Sequence, residues 1–234
     1  MEANNFFTAA REGKVTPDML RELLSLPKDA IATAFRDLAG HVSVFSSGWM
    51  GLQKDFESMI IEIDSPELML MYVKYYIKNA YRRGYIYPAL DVSELRWVME
   101  DLEFSIANQI MTEYLSISTL KLLPDAQQML YNSKHTSWFE LMVKHHKLDP
   151  KLQKQIIDDY NLSVPTNERN VEVRKNLFSY IENRKFSSEV EIMFMKNSNV
   201  NEFKARYVEL HGLNERTRDI MIFDTWSKCQ RITL

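Results

Sequence analysis

Five histidines and the single Cys229 are the residues of this chain that could bind a metal or act as nucleophiles. His145 and His146 are adjacent at the end of a predicted helix, where neighbouring side chains point about 100° apart, so they cannot hold one metal from one face. A helical metal site would show histidines at i and i+4 or a Glu-x-x-His pair, and the sequence contains neither. We therefore expect this pair to act as cations that favour the helix dipole, and we expect neither a metal nor a cofactor. The other three histidines, expected in caps or loops, are His41, His135 and His211.

The sequence contains no motif for nucleophilic catalysis or for phosphate binding. Cys229 has no histidine closer in sequence than His211, and neither a Gly-x-Ser-x-Gly elbow nor a Gly-x-x-x-x-Gly-Lys loop occurs. The carboxylates of Glu100, Asp101 and Glu103 spread around a predicted helix, as is typical of a solvated acidic face. We therefore predict a protein that is not an enzyme and has no catalytic residues.

One predicted helix, over residues 66–83, carries an outward face of unusual composition. Lys74, Lys78 and Arg82 repeat every four residues opposite the apolar stripe, and a methionine and a tyrosine share their face. Methionine, tyrosine and arginine are enriched in protein interfaces. The residues that this pattern predicts to bind a partner are Met71, Tyr75, Lys78 and Arg82.

Residues 17–48 resemble a winged helix-turn-helix. A short helix, a turn at Ser25-Leu26-Pro27 and a second helix are followed by an alternating segment and then by a Ser-Ser-Gly wing tip. The residues that would contact DNA are Lys28, Thr33 and Arg36. Asp29 and Asp37 offset their charge, whereas a DNA reader carries a surplus of cations against phosphate. DNA binding through this segment is therefore the alternative interpretation.

Composition and charge are those of an ordinary globular protein. The 234 residues are 45% hydrophobic and 26% charged, which excludes wholesale disorder. Residues 1–120 carry a net charge of −6 and the remainder +3, and neither half has the strong basic excess of a nucleic-acid binder. One cysteine excludes an intramolecular disulfide, and we see neither a signal peptide nor an apolar run of the ~18 residues that a transmembrane helix needs. We expect a cytoplasmic protein.

Prolines and glycines stand almost only where helices are predicted to start or stop. Pro17, Pro66 and Pro150 each follow a residue that can cap a helix, and proline costs little in a first turn because that turn leaves the N–H unused. Strand patterns are scarce, so the sequence predicts an all-α fold, an irregular bundle of about 13 helices, and leaves room for a short two-stranded or winged element near residues 42–50. The predicted helices span residues 2–12, 17–24, 28–39, 49–63, 66–83, 91–115, 124–132, 137–147, 150–160, 167–185, 188–196, 200–211 and 215–230.

Two domain organisations fit this pattern. Residues 161–167 are the best candidate for a hinge, because Pro165 biases Val164 away from helix. The hinge would separate a larger helical bundle at 1–160, which includes the helix-turn-helix-like segment, from a smaller C-terminal subdomain at 167–234. The alternative is a single domain throughout.

These observations favour a non-catalytic protein–protein interaction module, a cytosolic adaptor or a subunit of a larger assembly. The first alternative is a DNA-binding regulator, and the second is a helical enzyme or a bundle that binds a small ligand at a dispersed site. We expect other proteins as partners and do not expect nucleic acid. The sequence leaves homo-oligomerisation open.

Overall fold

The computed structural model describes residues 3–12, 14–41, 49–79, 92–118, 120–163 and 169–232. These residues form fourteen α-helices and no strand, which confirms the predicted all-α fold. The proposed winged element near 42–50 falls largely on residues 42–48, which lie outside the described residues, and residues 49–50 begin a helix.

The helix bounds follow the predicted ones closely. The earlier helices are α1 (Ala3–Arg11), α2 (Pro17–Leu24), α3 (Lys28–His41), α4 (Trp49–Glu62), α5 (Pro66–Met71), α6 (Val92–Arg96) and α7 (Phe104–Leu115). The later helices are α8 (Pro124–Asn132), α9 (Thr136–His145), α10 (Pro150–Ser163), α11 (Arg169–Asn183), α12 (Ser188–Lys196), α13 (Asn201–His211) and α14 (Glu215–Ile232). A 3₁₀ turn at Ser198–Val200 leads into α13.

Side-chain caps explain two of the predicted starts. The Thr16 hydroxyl accepts a hydrogen bond from the Met19 backbone N–H at 3.3 Å, and the Ser65 hydroxyl accepts one from the Leu68 N–H at 3.4 Å. A proline follows each cap at the first helical position. Helices α2 and α5 therefore begin where the cap-proline pairs predict.

Two helices continue as π-helices, which the sequence pattern did not predict. Helix α5 passes into a π-helix at Tyr72–Ile77, and α6 passes into one at Trp97–Asp101. The prediction of one helix over 91–115 is wrong, because Leu102 and Glu103 are extended, with ψ of 149° and 136°, before α7 begins. The break follows the π-helix directly, in keeping with the rule that π-turns run only for a short stretch.

The first of two compact units spans Met1–Ala126, and a cluster of aromatic rings lies at its centre. Neighbouring ring centroids are 5.1 to 6.2 Å apart, in edge-to-face and stacked arrangements. The rings belong to Phe6, Phe35, Phe56, Tyr72 and Tyr76. They come from α1, α3, α4 and the π-helix that follows α5, while α7 packs against α5 and that π-helix from another side. The cluster therefore holds α5 and its continuation firmly in place.

The second unit spans Gln127–Leu234, and α11 packs there against α9, α10 and α13. The carboxylate of Glu191 is fully buried and accepts hydrogen bonds from the Tyr207 hydroxyl at 2.7 Å and from the Asn214 backbone N–H at 2.8 Å. It thus joins α12, α13 and the start of α14. The proposed hinge at 161–167 lies inside this unit, and residues 164–168 lie outside the described residues. Within the ranges given above, no helix has the length and apolar character that crossing a membrane requires.

Candidate functional site

A groove of about 350 Å³ opens on the first unit between the start of α3, α5 with its π-helix, and α7. We call it the α3–α5–α7 groove. The residues that line it are Lys28, Asp29, Glu67, Leu70, Met71, Lys74, Tyr75, Ile106 and Gln109. Five of them come from α5 and its continuation, at spacings of three and four residues that place them on one helix face.

The groove has an apolar floor and a charged rim. Leu70, Met71 and Ile106 are half-buried and supply the floor. The rim carries two cations and two anions on exposed side chains, together with the amide of Gln109. The charged residues are Lys28, Lys74, Asp29 and Glu67. Such a surface matches a ligand that combines apolar and charged groups.

Tyr75 lines the groove, and two cations lie over its ring. The guanidinium carbon of Arg36 lies 4.6 Å from the centroid of the Tyr75 ring, and the Nζ atom of Lys74 lies 5.6 Å from it. Both distances are within the range of a cation–π interaction. Arg36, which the helix-turn-helix resemblance predicts to contact DNA, therefore contacts Tyr75 within the protein.

The residues predicted to contact DNA each have an intramolecular partner. Lys28 lies 3.8 Å from the carboxylate of Glu67, in an ion pair whose side chains are both exposed. The Thr33 hydroxyl donates a hydrogen bond to the backbone carbonyl of Asp29 at 2.8 Å, one turn earlier in α3. Together with Arg36 on Tyr75, these contacts give each of the three side chains a partner within the protein.

The structure brings together two of the four residues predicted to bind a partner. Met71 and Tyr75 line the groove. Lys78 does not line it, because its ammonium forms an ion pair with Glu113 of α7 at 2.8 Å. Arg82 lies outside the described residues. Lys28 joins the pair from α3, so residues from two separate sequence patterns meet in one place.

The sequence pattern did not predict that α7 lines the groove. Ile106 and Gln109 belong to α7. In the helix predicted over 91–115, Ile106 continues the helical spacing of Leu95, Val98 and Leu102, which predicts a core position, whereas Ile106 is half-exposed. Leu70 belongs to neither the apolar stripe nor the outward face that the sequence pattern defines. The sequence did contain one indication that Glu67 belongs to this surface, because Glu67 lies one turn before Met71 and two turns before Tyr75 on the same helix face.

The histidines occupy structural positions. His135 precedes the first turn of α9 and its ring lies 4.1 Å from that of Trp138, while His211 Nε2 lies 2.6 Å from the carbonyl oxygen of Ile181. His146 is buried just after α9. Burial, with the charges of Lys144 and Arg184, lowers the pKa of His145. The expectation that His145 acts as a cation at the helix end is therefore corrected, since its neutral form is favoured.

Side chains suited to metal binding do not converge in the described part of the chain. No set of three or more histidine, cysteine, aspartate or glutamate side chains could hold a metal ion there. Burial and then the charge of Glu57 raise the pKa of Tyr76, so this phenol stays protonated at neutral pH. Tyr76 packs in the aromatic cluster, where its ring centroid lies 5.1 Å from that of Tyr72.

No family model matches the chain, and no curated protein or solved structure matches it either.

Proposed function

We propose that this protein is a non-catalytic interaction module, a cytosolic adaptor or a subunit of a multiprotein assembly, that binds a segment of a partner protein in the α3–α5–α7 groove. The observation that carries the proposal is the apolar floor of Leu70, Met71 and Ile106 set between charges of both signs. Interfaces between proteins combine an apolar centre with a polar rim in this way. The single cysteine is consistent with a reducing compartment.

The charges of the rim define the segment that would fit. Lys74 has no ion-pair partner within the part of the chain that the structure describes, and its ammonium is directed to the face of Tyr75. An acidic side chain of the partner can pair with it. The long Lys28–Glu67 contact joins two exposed side chains, so it costs little to replace. We therefore infer a segment with an apolar side chain for the floor and an acidic residue beside it.

The DNA-binding alternative has less support. Lys28 is paired with Glu67 and Arg36 lies over Tyr75, and Asp29 and Glu67 place two carboxylates in the groove that Lys28 lines. Contacts between cations and phosphates supply a large share of the affinity for nucleic acid. A carboxylate next to the cation weakens such a contact because it repels the phosphate. A peptide with mixed charges meets no such repulsion.

A photocrosslinking residue at Gln109 tests the proposal, because this side chain is exposed at the groove. The matched control carries the same residue at Glu140, which is exposed on α9 of the other unit. We expect a defined partner to crosslink from position 109 and not from position 140. Met71→Glu and Tyr75→Ala should abolish that crosslink, while Ser118→Glu, which adds a charge at an exposed position outside the groove, should leave it unchanged. Equal crosslinking by the groove variants and the wild type would refute the proposal.

A further inference from the structure

The charges along the α3–α5–α7 groove are separated by sign. Glu67 begins the part of the lining that α5 and its π-helix contribute, and Lys74 and Tyr75 end it, about 10 Å further along the helix axis. Leu70 and Met71, which belong to the apolar floor, lie between them. This side of the groove therefore has an acidic end, an apolar middle and a basic end.

Helix α3 follows the same direction on its side of the groove. Lys28 of α3 pairs with Glu67, and Arg36 of α3 lies over the ring of Tyr75. Arg36 follows Lys28 by eight residues, and Tyr75 follows Glu67 by eight residues. The two helices therefore run side by side in the same direction, so that Asp29 lies at the acidic end and Arg36 at the basic end.

The two ends of the groove carry opposite net charges. Two carboxylates and one ammonium at the acidic end give −1, and two cations at the basic end give +2. Asp37, which follows Arg36, lies nine residues after Lys28 and thus on the opposite side of α3, away from the groove. The residues counted are Lys28, Asp29 and Glu67 at the acidic end, and Arg36 and Lys74 at the basic end.

The lining offers few partners for the backbone of an extended segment. Such a segment exposes an unpaired N–H and C=O group at each residue, whereas the lining supplies one amide, that of Gln109, and one hydroxyl, that of Tyr75, besides its charged side chains. The described residues also contain no strand whose edge could pair with it. A helix satisfies its own backbone groups and offers one face of side chains to a groove. The apolar floor therefore favours a helical segment.

An α-helix also has the spacing of the groove. Residues i and i+7 of a helix lie on one face about 10.5 Å apart, and residues i+3 and i+4 lie between them on that face. Glu67 and Lys74 are seven residues apart, with Leu70 and Met71 between them. A helix that carries opposite charges at i and i+7 can therefore place each charge at the end of opposite sign while its middle side chains contact the floor.

We propose that the α3–α5–α7 groove binds an amphipathic helix of the partner, with an acidic and a basic residue seven positions apart and apolar residues between them. The acidic residue pairs with Lys74 beside Arg36, and the basic residue pairs with Glu67 and Asp29. This inference rests on the proposed function, because it names the segment that the groove takes. The charges lie on an exposed rim, so they select the segment more than they add to its affinity.

Fluorescence anisotropy of three labelled helical peptides with the full chain tests this proposal. All three peptides carry leucine at positions i+3 and i+4. At i and i+7, the mixed peptide carries one glutamate and one lysine, the basic peptide two lysines and the acidic peptide two glutamates. We expect the wild type to bind the mixed peptide about threefold to tenfold more tightly than either of the others.

Charge reversal at each end of the groove should change this preference in a defined way. Glu67→Lys makes both ends basic, so this variant should bind the acidic peptide most tightly. Lys74→Glu leaves the basic end with no net charge, so this variant should bind the mixed and the basic peptides equally. Thermal unfolding of each variant checks that the fold is unchanged.

Phe178→Glu is the matched control for an added charge. Phe178 is 48% exposed in a separate groove of about 410 Å³ between α11 and α13, where Lys175 also lines the surface. This variant should bind the peptides like the wild type. A mixed peptide with a proline on its outward face keeps every side chain that meets the groove but cannot remain helical, so it should bind at least tenfold more weakly.

Equal binding of the three peptides by the wild type overturns the proposal, as does a lack of binding by all three. A proline peptide that binds as tightly as the mixed peptide overturns it too. Crosslinking of a partner from Gln109, with its loss in Met71→Glu, would still support the proposed function in each of these cases. Failure of the helical segment is therefore distinguishable from failure of the groove as a binding site.

Discussion

At the scale of single residues, the ion pair of Lys78 with Glu113 determines what a mutation at Lys78 measures. The side chains are 37% and 23% exposed, and the Nζ and Oε2 atoms lie 2.8 Å apart. The sequence pattern predicts that Lys78 lies on a partner-binding face. In the structure its ammonium instead forms an ion pair that joins the end of the π-helix to α7. Charge reversal of Lys78 is therefore expected to change the stability of the fold, whether or not Lys78 binds a partner.

We predict that Lys78→Glu lowers the free energy of unfolding by about 1–2 kcal/mol, because it sets two carboxylates against each other where water screens them only partly. The swap of Lys78→Glu with Glu113→Lys should recover most of this loss. Urea denaturation measures both variants, with Lys28→Glu as the control, since the Lys28–Glu67 pair is exposed and its loss should cost well under 1 kcal/mol. An unfolding free energy unchanged in Lys78→Glu would show that the ion pair does not contribute to stability.

Tyr160 gives the protein a pH dependence in alkaline solution. Burial, a 2.6 Å hydrogen bond to Glu202 and the charge of that carboxylate raise the pKa of Tyr160 to about 12, although Arg174 opposes the shift. An exposed tyrosine has a pKa near 10. Because the folded pKa is the higher one, the phenol's contribution to stability is complete below pH ~10 and is lost as the pH rises towards about 12.

We therefore predict that, between pH ~10 and about 12, the unfolding free energy of the Tyr160→Phe variant falls less steeply with pH than that of the wild type. Urea denaturation at a series of pH values measures the two slopes. Below the range the two curves should run parallel, since the phenol is protonated in both the folded and the unfolded state. Identical slopes between pH ~10 and about 12 would contradict the role of Tyr160.

At the scale of secondary-structure elements, residues with positive φ follow three of the described helices, and two of these residues, Gly212 and Lys134, differ in type. Gly212 follows α13 with φ of 61° and ψ of 172°, a conformation that suits glycine alone. Lys134 follows α8 with φ of 58°, where its side chain adds strain. The chain thus uses glycine at one of these ends and tolerates a lysine at the other.

We predict that Gly212→Ala lowers the free energy of unfolding by about 1–2 kcal/mol. A Cβ atom at this position would meet no atom within 4 Å, so the loss would come from the backbone alone. Lys134→Gly is the control, because it should change the unfolding free energy in the opposite direction and raise it by up to about 1 kcal/mol. Thermal unfolding followed by circular dichroism measures both, and a neutral Gly212→Ala would mean that α13 ends without strain.

Local signals allowed most helix bounds to be predicted, whereas the site needed tertiary information. Thr16 and Ser65 mark helix starts because a cap and a proline act over four residues of sequence. The break at Leu102 was hidden because Leu102 and Ile106 keep a helical spacing across it. For the same reason the pattern places Ile106 in the core, although it is half-exposed in the α3–α5–α7 groove.

At the scale of the whole molecule, the chain forms two compact units, each with its own core and its own groove. The first groove combines Met71 and Tyr75 with a rim of mixed charge, and the second is lined by Phe178 and Lys175. Substitutions with no shared contacts act independently. Phe178→Glu should therefore leave partner crosslinking at Gln109 unchanged, and crosslinking of the Phe178→Glu variant measures this.

The affinity of the crosslinked partner segment for the full chain tests the central claim most directly. Isothermal titration calorimetry compares the wild type with Met71→Ala, which removes an apolar side chain from the groove floor without adding a charge. We predict at least a tenfold loss of affinity, because truncating an anchor in the centre of an interface costs about 1.4 kcal/mol or more. An affinity equal to that of the wild type would show that the α3–α5–α7 groove is not where the partner binds.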